Sequence, residues 1–492
     1  MFVIPIAIFW ILAIWGLFSP RPVLIYLFFG TMSFGSMAVL PPAMTAGLTF
    51  TPTPIVALLI ALRTLAHLKG LNFTIASALM PKRGLLLFLF WVVATLTTIF
   101  MPRIFIGQIE IIPVRGTLNA SYPLYPTPQN ISQLAYLTIS VITVVAFARL
   151  LQNESLRRHA LMGLFVGGCV AVGTGFLDFA SQYAPITPLL EPFRTATYAL
   201  LTDVEVLGAK RVIGLMPEAS TYGNLCLNFL CMLVFLRHWV SGRLVPSHIF
   251  FALIGGLTLF CWLSTSSSTY VALVMLLGLL GGEWFWRAYS SGRDPRRGRG
   301  LVPEFWLAFG GVFALLAVIF VAPSLLDPIT AMFDRMVLQK TTSHSFEERN
   351  MWTAVSLQAM IDTYGIGVGV GSTRPSNALV AVLSSTGVVG ALLFYGFLLQ
   401  LLARRAHPSD SEGTAIVSAV RWAFLPLFTV NLLVGTSADF GAFWAFQFGL
   451  LMAIGIRGDT LRQRGGAPAL SPPPQSTAPA LSRRHVSGTM LR

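Results

Sequence analysis

The sequence predicts an all-α polytopic integral membrane protein of about 12–13 transmembrane helices, with a large extracytoplasmic loop between the tenth and eleventh spans. Three observations predict it. Of 492 residues, 55% are hydrophobic and only 11% charged, and the mean hydropathy is +0.73; a globular chain carries about 25% charged residues. Apolar runs recur from Phe2 to Ile456 with no soluble block between them. Finally, the surplus of 33 Lys+Arg over 19 Asp+Glu falls in short loops between those runs: Lys82-Arg83, Arg157-Arg158, Arg237 to Arg243, Arg287 to Arg299, Arg404-Arg405 and Arg457 to Arg464. That distribution assigns these loops to the cytoplasm. It also accounts for the net charge of +14 without a nucleic-acid partner. The four cysteines, Cys169, Cys226, Cys231 and Cys261, lie in apolar stretches without metal-ligand spacing, so they read as packing residues.

A hydrocarbon core about 30 Å thick needs roughly 20 apolar residues per helix. Such runs lie near 2–18, 22–41, 43–62, 84–101, 130–148, 160–182, 219–236, 247–263, 268–286, 303–321, 377–401, 416–434 and 440–456. With basic loops inside, the N-terminus is external and the C-terminus cytoplasmic. Pro41-Pro42, Pro52 and Pro54 punctuate the early spans and mark a broken or re-entrant helix as an alternative. The first run has no basic flank and no small-residue cleavage site, and so reads as a retained helix. The chain then divides into N-terminal helices (1–129), a main transmembrane domain (130–456) with external loops 183–218 and 322–376, and a Pro/Ala/Ser-rich cytoplasmic tail (457–492) expected to be disordered.

Three segments on the expected external side concentrate polar groups. The first, Lys210-Arg211-Val212-Ile213-Gly214-Leu215-Met216-Pro217-Glu218-Ala219-Ser220-Thr221-Tyr222, runs into an apolar helix. Pro217 suits a first helical turn and Glu218 complements the helix dipole, so capping alone accounts for Glu218. Against that, a carboxylate beside Arg211, with Tyr222 close by, is costly at a membrane boundary unless used. The second is the hydroxyl-rich link Ser264 to Ser268, which a tight turn also explains. The third is the largest loop, carrying Arg335, Lys340, His344 and Arg349, then a probable amphipathic helix, then Gly367-Val368-Gly369-Val370-Gly371-Ser372-Thr373-Arg374. Alternating glycines permit close backbone approach, and their N–H groups can form an anion-binding nest. Neither a Walker A loop nor a dinucleotide fingerprint is present.

The order Arg-x-x-Gly-x-x-Pro-Glu-x-Ser, a Ser-rich hairpin, Glu-Arg, Gly-x-Gly-x-Gly and Ser-Asn-x9-Gly-x-x-Gly resembles the O-antigen polymerase and ligase superfamily over about residues 130–456. The matching residues are Arg211, Gly214, Pro217, Glu218 and Ser220; Ser264 to Ser268; Arg349; Gly367, Gly369 and Gly371; and Ser376, Asn377, Gly387 and Gly390. Where the ligase branch carries a histidine before the Asn position, this chain has Ser376, and its hairpin lacks the arginine that relatives often carry. The resemblance therefore implies a membrane glycosyltransferase that polymerises polyprenyl-diphosphate-linked oligosaccharide repeats on the periplasmic face of the bacterial inner membrane. Partners would be that substrate, the bilayer, and a chain-length regulator and flippase of the same pathway. A ligase or a lipid-linked oligosaccharide transporter is the alternative; the transporter would line its path with Asp178, Glu283, Arg421 and Asp439.

Breaking an anomeric bond to a lipid diphosphate puts negative charge on the leaving group, and arginines bind phosphate oxygens bidentately. Arg211 and Arg349 are expected at the diphosphates, with Arg335, Lys340 and Arg374 as secondary cations. Glu218 is the first-choice general base and His344 the second; Gly367, Gly369, Gly371, Asn377 and Tyr222 are expected to bind substrate. The external loops contain no Asp-x-Asp pair or His/carboxylate cluster, so neither metal nor cofactor is expected.

Overall fold

A computed structural model describes the chain except residues 1–2, 41–44, 46–48, 116–119, 199, 202–204, 207–208, 293–297, 299, 322–326, 328–329, 331–333, 335–343 and 467–492. The fold is mostly helical. Its first half holds α1 (Val3–Phe18), α2 (Val23–Thr31), α3 (Pro52–Leu65), α4 (Leu68–Leu79), α5 (Leu85–Ile104), α6 (Pro128–Leu150), α7 (Glu154–Ala180) and the short α8 (Thr187–Leu190). The second half holds α9 (Ala219–Phe235), α10 (Arg237–Val240), α11 (Ser247–Leu263), α12 (Ser267–Ser291), α13 (Leu301–Val321), α14 (His344–Asp362), α15 (Ala378–Ala403), α16 (Ser411–Val434) and α17 (Gly441–Gly466). Two antiparallel ribbons complete it: β1 (Glu110–Ile111) with β2 (Tyr122–Pro123), and β3 (Glu205–Val206) with β4 (Ala209–Lys210).

Among the described residues seven helices, α5, α6, α7, α12, α15, α16 and α17, are long and apolar enough to cross a membrane. The pair α3 and α4 together pass the same test but bend by 106° at their junction. Helices α1, α9 and α11 are apolar but 16 or 17 residues long, which at 1.5 Å per residue is about 25 Å. Their expected boundaries agree closely with the observed ones, but their lengths fall short of a full span.

Elsewhere the expectation fails. The run 22–41 is helical only over Val23–Thr31. Beyond it the backbone bonds to loops: Leu215 O accepts from Ser36 N at 2.9 Å, Ser36 O accepts from Thr195 N at 3.0 Å, and Phe50 O accepts from Val39 N at 2.9 Å. An apolar segment whose main-chain groups find partners in neighbouring loops has no need of a helix. The next helix begins at Pro52 rather than at 43, where proline at the first helical position costs no hydrogen bond. Residues 68–79, expected in a cytoplasmic loop, form α4, which exposes an apolar ridge of Leu68, Leu71, Ile75 and Leu79. The tail is also helical at its start, since α17 continues to Gly466; the rest of it lies outside the described residues.

Charge and aromatic packing organise the two ends. Phe28, Phe29, Phe147 and Phe446 close a ring of edge-to-face contacts with centroids 4.8–5.3 Å apart, joining α2, α6 and α17 in the core. At one end Arg157 is fully buried and bidentate to Asp410 at 2.8 and 3.0 Å, with Glu412 at 3.2 Å, tying α7 to α16. Nearby Arg237 joins Glu283 at 2.6 Å and Glu304 at 2.8 Å. Alternation of helix direction puts these groups at the end opposite Glu218, and the basic pairs 82–83, 157–158 and 404–405 sit there too.

Candidate functional site

Glu218 precedes α9 with extended backbone (φ −154°, ψ 160°), yet its carboxylate accepts no helix N–H. Capping is therefore not its role, and Pro217 stands before the helix instead of in its first turn. The Glu218 carboxylate accepts from the Ser220 hydroxyl and faces a cavity of about 990 Å³. Arg349 on α14, Arg374 and Ser376 line the same cavity.

The chain reaches Arg374 along the glycine run. Each of Gly367, Gly369 and Gly371 has φ between +79° and +91°. A Cβ at Gly367 would lie 2.6 Å from Gly387 N, and one at Gly371 2.5 Å from Gln129 O. The run thus threads between α5, α6 and α15 with main chain against main chain, which only glycine allows. Its N–H groups serve that contact: Gly367 donates to Thr363 Oγ1, Val368 to Ser384 O, Gly369 to Ser385 O and Val370 to Thr98 Oγ1, at 2.7–3.0 Å. This corrects the expected anion nest, because those donors face protein oxygens and no open concavity. The run delivers Arg374, whose N–H donates to Ile112 O at 3.0 Å and whose guanidinium lies 5.2 Å from the Trp352 ring centre.

Two more expectations are corrected. Tyr222 is fully buried and its hydroxyl donates to Ala171 O at 2.9 Å, so it is a core residue joining α9 to α7. Asn377 caps α15, its Oδ1 accepting from Leu379 N at 2.9 Å and Val380 N at 3.2 Å. Arg211 differs in another way, for it stands behind the cavity wall. Its Nε donates to Thr265 Oγ1 at 2.8 Å and its Nη2 to Thr265 O at 2.9 Å, with Ser264 O at 3.1–3.2 Å from both. These bonds hold the hairpin between α11 and α12, where Thr265 has φ +46°. Arg335 and Lys340 lie outside the described residues, as does the side chain of His344, the first residue of α14.

Electrostatics link the assembled groups. Burial lowers the affinity of the Arg211 and Arg374 guanidiniums for their protons; the charge of Glu218 opposes this in both, and that of Arg349 reinforces it. Both arginines therefore sense the same carboxylate and the same third arginine, so the four side chains form one charge cluster.

Sequence reasoning missed several lining groups. Arg115 carries no motif that would single it out, and Glu348 stands in the Glu-Arg pair, of which only the arginine is assigned a role. Asp439, weighed above as a transport residue, lies in the 435–440 link, accepting from Ser140 Oγ at 2.6 Å and Gly441 N at 3.1 Å. Burial pushes its carboxyl above the usual range despite those two bonds. Below the charged mouth the lining turns apolar, with Phe394, Leu398, Phe428, Trp444 and Phe448 from α15, α16 and α17. The backbones of these three helices stay apart, and aromatic pairs such as Phe397–Phe448 and Phe424–Trp444, with centroids 5.8 and 5.4 Å apart, bridge them. Helix α15 packs chiefly on α5, α17 on α6, and α16 on α9 and α12, so the cavity lies along a seam between helix groups. No protein family and no curated protein matches this sequence.

Proposed function

We propose that this protein is a polysaccharide polymerase: a membrane glycosyltransferase of the bacterial inner membrane that joins polyprenyl-diphosphate-linked oligosaccharide repeats at the periplasmic face. The observation that carries the reading is the polarity of the cavity of about 990 Å³. Its mouth gathers Glu218, Arg349 and Arg374, with Arg115 beside them, and its floor is aromatic and aliphatic. A lipid diphosphate-linked glycan has the same sequence of chemistries, with a hydrocarbon tail, an anionic link and polar sugars. The basic loops at the opposite end support an outward-facing mouth.

In this reaction the acceptor hydroxyl attacks the donor's anomeric carbon. The new glycosidic C–O bond forms as the bond to the diphosphate breaks, and the anomeric configuration inverts. Arg349 and Arg374 neutralise the negative charge that develops on the departing lipid diphosphate, which is the largest gain fixed charge can offer. Glu218, held by Ser220 at the mouth, takes the hydroxyl proton. Arg211 positions this group through the hairpin instead of touching phosphate.

The test is elongation by purified protein in lipid nanodiscs, supplied with a synthetic lipid-diphosphate repeat unit and no nucleotide sugar. Polymer is expected from the wild type. Glu218→Gln and Arg349→Ala should each cut the rate by 100-fold or more, the usual scale for removing a catalytic base or one charge-stabilising donor (roughly 10²–10⁴). Strict dependence on nucleotide sugar, or unchanged elongation in both variants, refutes the reading. Accumulation of long unattached polymer in cells lacking the protein would identify a ligase.

A further inference from the structure

A second cavity of about 330 Å³ adjoins the first, sharing Val114 and Arg115 with it. It lies at the small end of the ~300–1,000 Å³ range of ligand sites. Its walls come from the β1–β2 ribbon and the start of α6, and include Tyr122, Tyr125, Gln129 and Ser372. The ribbon is held rigidly. Ile109, Ile111 and Leu124 are buried with Ala359 of α14 and Val368 of the glycine run, and Leu124 N donates to Ile109 O at 2.8 Å. The tyrosines therefore sit on the same scaffold that fixes Arg374.

Tyr122 on the ribbon and Tyr125 just after it are 42% and 52% exposed. Exposed tyrosine rings offer apolar faces with polar edges. Gln129 adds an amide, and the Arg115 guanidinium has no ion-pair partner among the described residues. Flat rings with planar polar groups beside them suit a sugar, whose C–H face stacks on an aromatic ring while its hydroxyls bond to amide and guanidinium. A lipid tail would want the apolar floor of the larger cavity instead.

We infer that this pocket is a glycan subsite, holding the sugars of a bound chain next to the reacting centre while the diphosphate and lipid occupy the larger cavity. The inference rests on the polymerase reading, because a polymerase must hold two glycans at once and the shared Arg115 wall makes the two spaces neighbours.

The experiment measures binding of lipid-free oligosaccharide of one to three repeats, released by mild acid from the producing cell's own lipid-linked intermediates. The full chain in nanodiscs is titrated by saturation-transfer NMR and calorimetry. The paired variant Tyr122→Ala, Tyr125→Ala is expected to weaken binding by tenfold or more. Tyr122→Phe with Tyr125→Phe, which keeps both rings, should stay within threefold, and the alanine pair should keep the wild-type unfolding midpoint, showing that its loss is not misfolding. Arg349→Ala should bind the free oligosaccharide within twofold of wild type. Equal binding by the alanine pair and the wild type overturns the subsite, as does loss of binding in Arg349→Ala alone. Wild-type protein that elongates the lipid substrate but does not bind free oligosaccharide also overturns it. Tyrosine-dependent binding without any elongation upholds the subsite and discards the polymerase.

Discussion

Replacing Arg211 separates two roles for a charged side chain beside a reacting centre. Its guanidinium makes four contacts at 2.8–3.2 Å to Ser264 O, Thr265 O and Thr265 Oγ1, using Nε and Nη2. Because the four share two donor nitrogens and three acceptors, they count as about two independent charge-assisted bonds of roughly 1.5–3 kcal/mol each. Partial exposure lets water replace some of them, which leaves about 3 kcal/mol. The hairpin also holds Thr265 at φ +46°, a left-handed conformation that costs a β-branched residue about 1–2 kcal/mol and relaxes once the clamp is gone. Arg211→Ala is thus expected to destabilise the protein by about 3 kcal/mol and to slow elongation. Arg211→Lys should recover about half the stability, since one ammonium cannot span acceptors arranged for a planar fork. Denaturant unfolding in detergent, followed by tryptophan fluorescence, reads stability, and the nanodisc assay reads elongation. Arg211→Ala with wild-type stability and abolished elongation would refute the positioning role and return Arg211 to direct contact with the diphosphate.

Gly387→Ala should unfold or cripple the protein, because φ is +70° there and the new Cβ would sit 2.3 Å from Ile366 O and 2.4 Å from Gly365 O; a loss above about 4 kcal/mol is expected, read as failure to purify as a monodisperse species. At the other end, Arg157→Ala leaves Asp410 and Glu412 buried without their cation, and about 3–5 kcal/mol of stability should be lost near neutral pH. Burial alone would raise the Asp410 carboxyl, but the Arg157 bonds, the Gly413 N–H and the charges of Arg157 and Arg457 outweigh it and hold the group below its ordinary value. The stabilisation is therefore complete above the unfolded value of about 3.9 and is lost as pH falls through the lower folded one. The gap between the unfolding curves of wild type and Arg157→Ala should start to narrow only below about pH 3.9 and go on closing as pH falls through the lower folded value; a gap that already closes well above about pH 4 would show that Asp410 is not the partner that matters.

Hydropathy locates most of this architecture because burial in hydrocarbon and burial in protein both select apolar residues at helical length. Several of the later helices begin and end within a few residues of their expected positions, as at Ser247–Leu263 and Ala378–Ala403, although the last runs ten residues past its expected end. The same logic explains the failures at 22–41 and 68–79. An irregular segment satisfied by Leu215, Thr195 and Phe50 is as apolar as a span, and α4 is too polar on one side to register as one. Within the candidate site, charges were legible and their partners were not. Of the first-choice charges Glu218 and Arg349 line one cavity and Arg211 does not, the secondary cation Arg374 joins them, Gly371 lines the smaller cavity, and Tyr222, Asn377, Gly367 and Gly369 make bonds or close contacts within the fold. A sequence motif records that a residue matters but not whether it touches ligand or neighbour. Arg115 and the floor rings belong to no motif, since a pocket assembled from five helices and the segments between them leaves no local pattern.

The seam beneath the mouth bears on how a very long isoprenoid would come and go. The backbones of α15, α16 and α17 each lie close to an outer neighbour, whereas between the three themselves the contact is made largely by side chains. Aromatic pairs such as Phe397–Phe448, Phe424–Trp444 and Tyr395–Phe428 bridge the seam, so on the polymerase reading a hydrocarbon chain entering sideways from the bilayer would have to displace side chains but not pull apart closely packed backbones. On the same reading the spent carrier would leave by that route while the sugar polymer stays in water above, and lateral traffic in the membrane need not disturb the growing end.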